Sequence, residues 1–193
     1  MATAPDLTKV AIHLAQILGP RDCVLVGGMA VGVHGYVRAT KDVDFVARIK
    51  PADVLARLKL QGIAATQTHC GVLEGDFPCV KGTLDRIPFD VMPPLVPIDW
   101  EGVLNVPMGG GVTLQVVPLE GLIRLKMRAA GPRDLLDVAA LVMQHPEQLD
   151  LAKELAVAYR VADKLDIWLR DPRLKAEIQS PKPTARKGRR KKS

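Results

Sequence analysis

Cysteine is scarce in this chain and follows no pattern. The 193 residues include three cysteines, Cys23, Cys70 and Cys79, and no two of them form a Cys-x-x-Cys pair. An odd and scattered set argues against a disulfide framework and against a structural zinc site. The sequence therefore predicts three reduced thiols.

Long apolar runs are also missing. The longest uncharged segments, Cys23 to Val37 and Gly102 to Leu119, are interrupted by glycine and proline. Neither offers the roughly 20 continuous apolar residues that a membrane-spanning helix needs. The stretch up to Leu18 lacks the basic lead-in and the cleavage site of a secretory signal. These absences predict a cytoplasmic protein with no membrane partner.

Acidic residues are absent from the end of the chain. Residues 181–193 hold seven of the 27 basic residues and none of the 21 acidic ones, so the net charge of +6 arises in this segment. Such a composition cannot bury enough apolar surface to offset the entropy lost on folding. We therefore expect residues 173–193 to form a basic, disordered tail, and this tail could contact RNA.

The rest of the chain has the composition of one globular unit, with 48% hydrophobic residues overall. Its first part alternates helix and strand patterns, with predicted helices at 7–18, 29–34 and 51–60 and predicted strands at 23–26, 43–49, 77–83, 86–92 and 112–117. Its second part predicts helices at 119–130, 132–144, 149–159 and 161–169. We expect an α+β fold in which residues 1–118 form an α/β core with a mixed β-sheet flanked by helices. Residues 119–172 then form a helical subdomain packed on that core.

Two acids on one predicted strand indicate a metal site. Side chains two apart in a strand share a face, so Asp42 and Asp44 point together while Val43 and Phe45 face the core. Two adjacent carboxylates repel unless a cation neutralises them, and hard oxygen ligands suit Mg²⁺ or Mn²⁺. Alone, an Asp-x-Asp pair is also common on solvated strands.

A glycine pair precedes these acids. Gly27 and Gly28 lie between a predicted strand and a predicted helix, where glycine lets the backbone approach phosphate oxygens closely. Since Mg²⁺ completes its coordination with substrate phosphates, a nucleoside triphosphate is the natural partner. A third acid, Asp90, lies in an otherwise apolar strand and needs a metal or a basic residue beside it. An edge-strand acid or an ordinary salt bridge is the alternative for Asp90, since Pro88 lies nearby.

The order of these motifs resembles a known family. Gly-Gly-x-Ala, then His-Gly, then Arg-x-Thr-x-Asp-x-Asp, spanning Gly27 to Asp44, resembles the nucleotidyltransferase superfamily that includes DNA polymerase beta and the minimal nucleotidyltransferases. The segment from His34 to Asp44 is similar to the abortive-infection type nucleotidyltransferase toxins. Phe89-Asp90-Val91 matches the third-carboxylate strand of the superfamily. Lys126, followed by Arg133-Asp134 and Asp137, is similar to the helical motifs of the toxins.

The resemblance implies a Mg²⁺- or Mn²⁺-dependent transfer of a nucleotidyl group from a nucleoside triphosphate. Asp42 and Asp44 would bridge two ions, and Asp90 would hold the ion that activates the acceptor hydroxyl. Gly27 and Gly28 would bind the β and γ phosphates.

Four further residues are candidates for nucleotide binding. Arg38 or Lys126 would neutralise the leaving pyrophosphate. Thr40 could donate to a phosphate or simply favour the strand, and Asp134 could act in the site or complement the helix dipole. His34 is more simply a capping or packing residue, and the role of Asp137 stays open.

The sequence leaves the acceptor open between RNA, a protein hydroxyl and a small molecule. The resemblance suggests a toxin with an antitoxin partner. One alternative is a catalytically silent module of the same fold that binds nucleic acid through the tail. Another is a Rossmann-like nucleotide binder, which is less favoured because the chain lacks GxGxxG.

Overall fold

A seven-stranded mixed sheet lies at the centre of the protein. The structure is a computed structural model, and it describes residues 6–70, 77–109 and 111–179. The strands are β1 (Cys23–Leu25), β2 (Val43–Ala47), β3 (Ala65–Cys70), β4 (Phe77–Leu84), β5 (Ile87–Met92), β6 (Leu104–Gly109) and β7 (Val112–Val116). Their order across the sheet is β3-β4-β5-β2-β1-β7-β6. The pairs β2–β5 and β1–β7 are parallel, and the other neighbours are antiparallel.

Helices flank this sheet and dominate the second half of the described chain. They are α1 (Leu7–Leu18), α2 (Gly27–Val33), α3 (Pro51–Leu60), α4 (Leu119–Ala129), α5 (Pro132–Gln144), α6 (Leu149–Ala158), α7 (Ala162–Arg170) and α8 (Pro172–Gln179). Asp6 caps α1, since its side chain accepts hydrogen bonds from the backbone amides of Thr8 and Lys9. Proline at the start of α3 and of α5 suits the first helical turn, where no amide partner is needed.

The predicted fold class is confirmed, since the mixed sheet, the flanking helices and the C-terminal helices are all present. One cluster of buried apolar side chains runs from α1 through the central strands into α5, α6 and α7. The division at residue 118 into a core and a helical subdomain stays a prediction. None of the described helices has the length and apolar character needed to cross a membrane.

Two strands and one helix were not predicted. β3 and β6 form the two edges of the sheet. α8 occupies the first residues of the segment predicted as a disordered tail, so the predicted start of that tail at residue 173 is wrong. Its helix is anchored because Leu174 is buried and Ile178 packs against the core. Residues 180–193, which hold the basic run, lie outside the described residues.

The cysteines also differ from the prediction. Cys70 and Cys79 form a disulfide with their Cα atoms 6.0 Å apart. β3 and β4 pair antiparallel with Thr68 opposite Cys79, and this register brings the two cysteines together. Spacing along the chain does not reveal such a contact. Cys23 is a free, buried thiol, and burial raises its pKa to about 12.

Candidate active site

The three predicted acids lie on one face of the sheet. β2 runs parallel to β5 in a register that sets Asp44 opposite Asp90. Asp42 directly precedes β2, and residues two apart in extended chain project to the same side. Val43 and Phe45, which alternate with them, are fully buried. The strand pairing therefore brings Asp42 and Asp44 next to Asp90, which is 46 positions from Asp44 in the chain.

The acids share one electrostatic environment. The pKa of Asp44 is raised from 3.8 to about 6. Burial is the largest cause, and the negative charges of Asp42 and Asp90 act in the same direction. The charges of Lys126 and Lys81 act in the opposite direction. A carboxyl group whose negative form is opposed by two neighbouring carboxylates is one that a cation would stabilise.

Two of these acids are held by other side chains. Thr40 Oγ1 donates a 2.7 Å hydrogen bond to Asp42 Oδ1, and Lys81 Nζ donates a 2.6 Å hydrogen bond to Asp90 Oδ2. Within the described ranges, no group of three His, Cys, Asp or Glu side chains is already arranged to hold a metal ion. The donor set still fits a divalent cation, because all of its donors are hard carboxylate oxygens with surplus negative charge. A cation at Asp90 would share its carboxylate with Lys81.

The glycine pair packs directly against the acidic motif. Gly27 has φ +65°, and a Cβ atom there would lie 1.9 Å from Asp44 Oδ2. A Cβ atom on Gly28 would lie 2.6 Å from Thr40 Oγ1 and 3.2 Å from a guanidinium nitrogen of Arg38. The turn between β1 and α2 is therefore glycine because the motif from Arg38 to Asp44 closes over it.

A buried ion-pair network borders the acids. Arg38 contacts both carboxylate oxygens of Asp137 at 2.6 Å through Nε and Nη2. Lys126 Nζ lies 2.7 Å from Asp134 Oδ1 and 2.9 Å from Asp137 Oδ2. Asp137 is fully buried, and it neutralises two cations at once. A bidentate Arg–carboxylate pair fixes the geometry of both partners.

This network pairs both basic residues that were candidates for phosphate contact, Arg38 and Lys126, with acids. Arg38 was a candidate for direct contact with pyrophosphate, but Asp137 holds its guanidinium, and Nη1 donates to the carbonyl of Ala39. Lys126 is buried, so it is not an ordinary surface lysine. Asp134 and Asp137 share a helix face, as their spacing predicts, and both contact Lys126.

Thr40 and His34 have structural partners. Thr40 lies before β2 and not within it, so the alternative that it merely favours the strand is wrong. His34 ends α2, and its Nε2 donates a 2.8 Å hydrogen bond to the carbonyl of Val117. Burial lowers the pKa of His34, which favours the neutral ring. The simpler prediction for His34, a packing role, agrees with these contacts.

The sequence alone assigns no role to two residues of this region. Asp137 was left without a role, although an acid within the apolar run from Leu135 to Val142 signals a buried partner. Lys81 was not singled out, because only the pairing of β4 with β5 places it opposite Asp90. The alternation of β4 makes Lys81 outward-facing, but it does not reveal which acid lies there.

A mixed sheet that presents an Asp-x-Asp strand behind a Gly-Gly turn, with a third acid on the adjacent strand, has the architecture of a nucleotidyltransferase. Comparison with family models gives the particular family. Residues 13–191 match the family described as nucleotidyl transferase AbiEii toxin, Type IV TA system. The chain therefore belongs to this family of nucleotidyltransferase toxins from toxin–antitoxin systems. No curated protein matches the sequence.

Several solved structures resemble the chain at low identity. JHP933 from Helicobacter pylori is 15% identical over 91% of this chain and 95% of its own, with a TM-score of 0.40. TM1012 from Thermotoga maritima is 13% identical over 58% of this chain and 79% of its own, with a TM-score of 0.43. ANT(2")-Ia, solved with adenylyl-2"-tobramycin, is 12% identical over 89% of this chain and 95% of its own, with a TM-score of 0.41.

Proposed function

We propose that the chain transfers a nucleotidyl group from a nucleoside triphosphate to a hydroxyl acceptor, with Mg²⁺ or Mn²⁺ at Asp42, Asp44 and Asp90. The observation that carries this proposal is the register of β2 against β5, which sets Asp44 beside Asp90 within reach of the charge of Asp42. A catalytically silent module would gain nothing from three acids that oppose one another in this way.

Each acid has a distinct place in this proposal. Asp42 and Asp44 would hold both cations, and Asp90 would hold the one that activates the acceptor hydroxyl. Two divalent cations bound there would stabilise the attacking and leaving oxygens of an in-line displacement. The acceptor oxygen forms the new bond to the α-phosphorus, and pyrophosphate leaves.

The nucleotide lies, in this proposal, between the glycine turn and Lys126. Gly27 and Gly28 lie directly against Asp44 and Thr40, so phosphates bound at this turn would lie beside the acids. The charge of Lys126 opposes the rise in the pKa of Asp44, so its ammonium group lies within electrostatic range of the acids. Lys126 therefore neutralises the triphosphate, while Asp134 and Asp137 hold it in place. Arg38 acts through Asp137 and not by free contact with phosphate.

Family membership supports a toxin role with an antitoxin partner. The acceptor class stays open between RNA, a protein hydroxyl and a small molecule. RNA would be favoured if the basic residues of 181–193 engage it. The cytoplasmic location also stays a prediction.

The test is the substitution Asp44→Asn. Full-length protein is incubated with Mg²⁺, a cell extract as a source of acceptors, and nucleoside triphosphate labelled with ³²P at either the α or the γ position. The parent should transfer the α label only, and Asp44→Asn should transfer none because a charged ligand is lost. Asp85→Asn is the matched control, since Asp85 is exposed at φ 50°, which asparagine tolerates. Equal α transfer by Asp44→Asn would refute the proposed role of Asp44.

Stability without metal separates this result from misfolding. Because the folded state raises the pKa of Asp44 from 3.8 to about 6, its contribution to stability is present at low pH and is lost as the pH rises through 6. Above this pH the buried negative charge of Asp44 destabilises the fold, and asparagine has no such charge. At pH 8 without divalent cation, Asp44→Asn should therefore melt at or above the temperature of the parent.

A further inference from the structure

A lysine forms an ion pair with Asp90, the third acid of the proposed site. Lys81 lies opposite Asp90 in the β4–β5 pair, and Asp90 lies opposite Asp44 in the β5–β2 pair. The three side chains therefore form one row across adjacent strands, with Asp90 between the lysine and Asp44. Lys81 Nζ lies 2.6 Å from Asp90 Oδ2.

This ion pair contributes little to the stability of the fold. The side chains of Lys81 and Asp90 are 47% and 31% exposed, and solvent screens the attraction between exposed charges. The ion pair has a larger consequence for the electrostatics of the acids. Lys81 opposes the mutual repulsion of Asp44 and Asp90, because it places a positive charge on the outer side of Asp90.

The same carboxylate serves two purposes. In the metal-free protein, Asp90 Oδ2 accepts the hydrogen bond of Lys81, and in the proposed function Asp90 must ligate a cation. An ammonium group 2.6 Å from Asp90 Oδ2 competes with a metal ion for the negative charge of this carboxylate.

We propose that Lys81 is a positioning residue that holds Asp90 in the metal-free protein and competes with the divalent cation for it. This inference rests on the proposed function, because it requires a cation at Asp90. Removal of the lysine charge should then make cation binding tighter, not weaker.

The experiment is a titration of full-length, metal-free protein with Mn²⁺, in which free Mn²⁺ is measured by electron paramagnetic resonance. Lys81→Met should bind Mn²⁺ roughly three- to tenfold more tightly than the parent, which is the scale of a lost ion pair at a partly exposed site. Lys81→Arg keeps the charge and should bind as the parent does. Lys59→Met, an exposed lysine near the end of α3, makes the same change in net charge away from the acids.

The outcomes separate this inference from the proposed function. Parent protein that binds no Mn²⁺, or that binds it equally well after Asp44→Asn, refutes the proposed metal site. Parent protein that binds Mn²⁺ at Asp44, together with Lys81→Met of equal or weaker affinity, refutes the competition alone. A gain shared by Lys59→Met would show a general effect of net charge and would also refute it. Lys81→Gln is a second, polar variant if Lys81→Met does not fold.

Discussion

Asp137 shows how one buried acid organises the border of the site. It is fully buried and receives Arg38 through two hydrogen bonds and Lys126 through a third contact. A buried charge is tolerated when it is paired and when its lone pairs are satisfied. Here one carboxylate ties the loop after α2 to both α4 and α5.

Asp137→Asn tests this role. Asparagine keeps the shape but removes the charge that neutralises Arg38 and Lys126, both of which are largely shielded from water. Removal of one partner from such a buried pair costs roughly 3–5 kcal/mol. Urea unfolding monitored by circular dichroism measures the loss.

Asp134→Asn is the matched control on the same helix. Asp134 is 25% exposed, and Lys126 keeps Asp137 when Asp134 is neutral. Its expected cost is about 1 kcal/mol or less. Equal losses for the two variants would show that Asp137 is not the centre of the network.

Among the elements, the turn from β1 into α2 is fixed by its contact with β2. Gly27 adopts a left-handed φ of +65° directly against the side chain of Asp44. The amide of Val26 also donates to the carbonyl of Asp44 at 2.9 Å. The start of α2 and the acidic strand are therefore held in direct contact.

Gly27→Ala should disturb both the start of α2 and the acidic strand β2. The left-handed backbone and a contact of 1.9 Å with Asp44 Oδ2 force a rearrangement, for which we expect a loss of about 2 kcal/mol or more. Mn²⁺ binding should weaken as well, because Asp44 is displaced. Thermal unfolding and the Mn²⁺ titration measure the two effects.

Gly32→Ala makes the same substitution within α2. No atom lies within 4 Å of a Cβ atom at this position, and alanine favours the helix by up to about 1 kcal/mol. This variant should be as stable as the parent or more so. If Gly27→Ala behaves like Gly32→Ala, the glycine turn does not hold Asp44.

The two strands that the sequence did not predict have a common physical cause. β3 contains Thr66, Gln67 and His69 with little apolar alternation, and β6 contains Pro107. Both are edge strands, which bury only part of their surface and tolerate polar residues and proline. The central strands were predictable because burial of Val43, Phe45 and Phe89 leaves a clear apolar pattern.

For the whole molecule, the candidate site was predictable wherever its residues follow one another in the chain. The order of Gly27, Gly28, Asp42 and Asp44 within one short segment indicated nucleotide and metal chemistry directly. The partners of these residues come from strand pairing and helix packing. The contacts of Lys81 with Asp90 and of Asp137 with Arg38 therefore could be identified only from the positions of β4 and α5 in the fold.

Charge is unevenly distributed over the molecule. Residues 181–193 hold seven basic residues, and the rest of the chain has slightly more acidic than basic residues. Deletion of residues 181–193 should leave folding and nucleotide binding unchanged, because this segment contains almost no apolar side chains. It should weaken binding to RNA if the acceptor is RNA.

A salt series measures that contribution. Each phosphate neutralised on single-stranded RNA steepens the dependence of log K, the logarithm of the binding constant, on log salt by about 0.7. Seven contacts would therefore give a slope of about −5. Full-length and truncated protein are compared on the same RNA. Equal slopes would show that the segment does not engage RNA, and would leave protein or small-molecule acceptors favoured.

The most direct test of the central claim is a crystal structure with Mn²⁺ and a non-hydrolysable nucleoside triphosphate, with the metal located by anomalous scattering. We expect two peaks roughly 4 Å apart. Oxygens of Asp42 and Asp44 should ligate both ions, Asp90 should ligate one, and the phosphates should lie beside Gly27 and Gly28. A triphosphate bound elsewhere, or bound here with no metal at these three acids, would contradict the account.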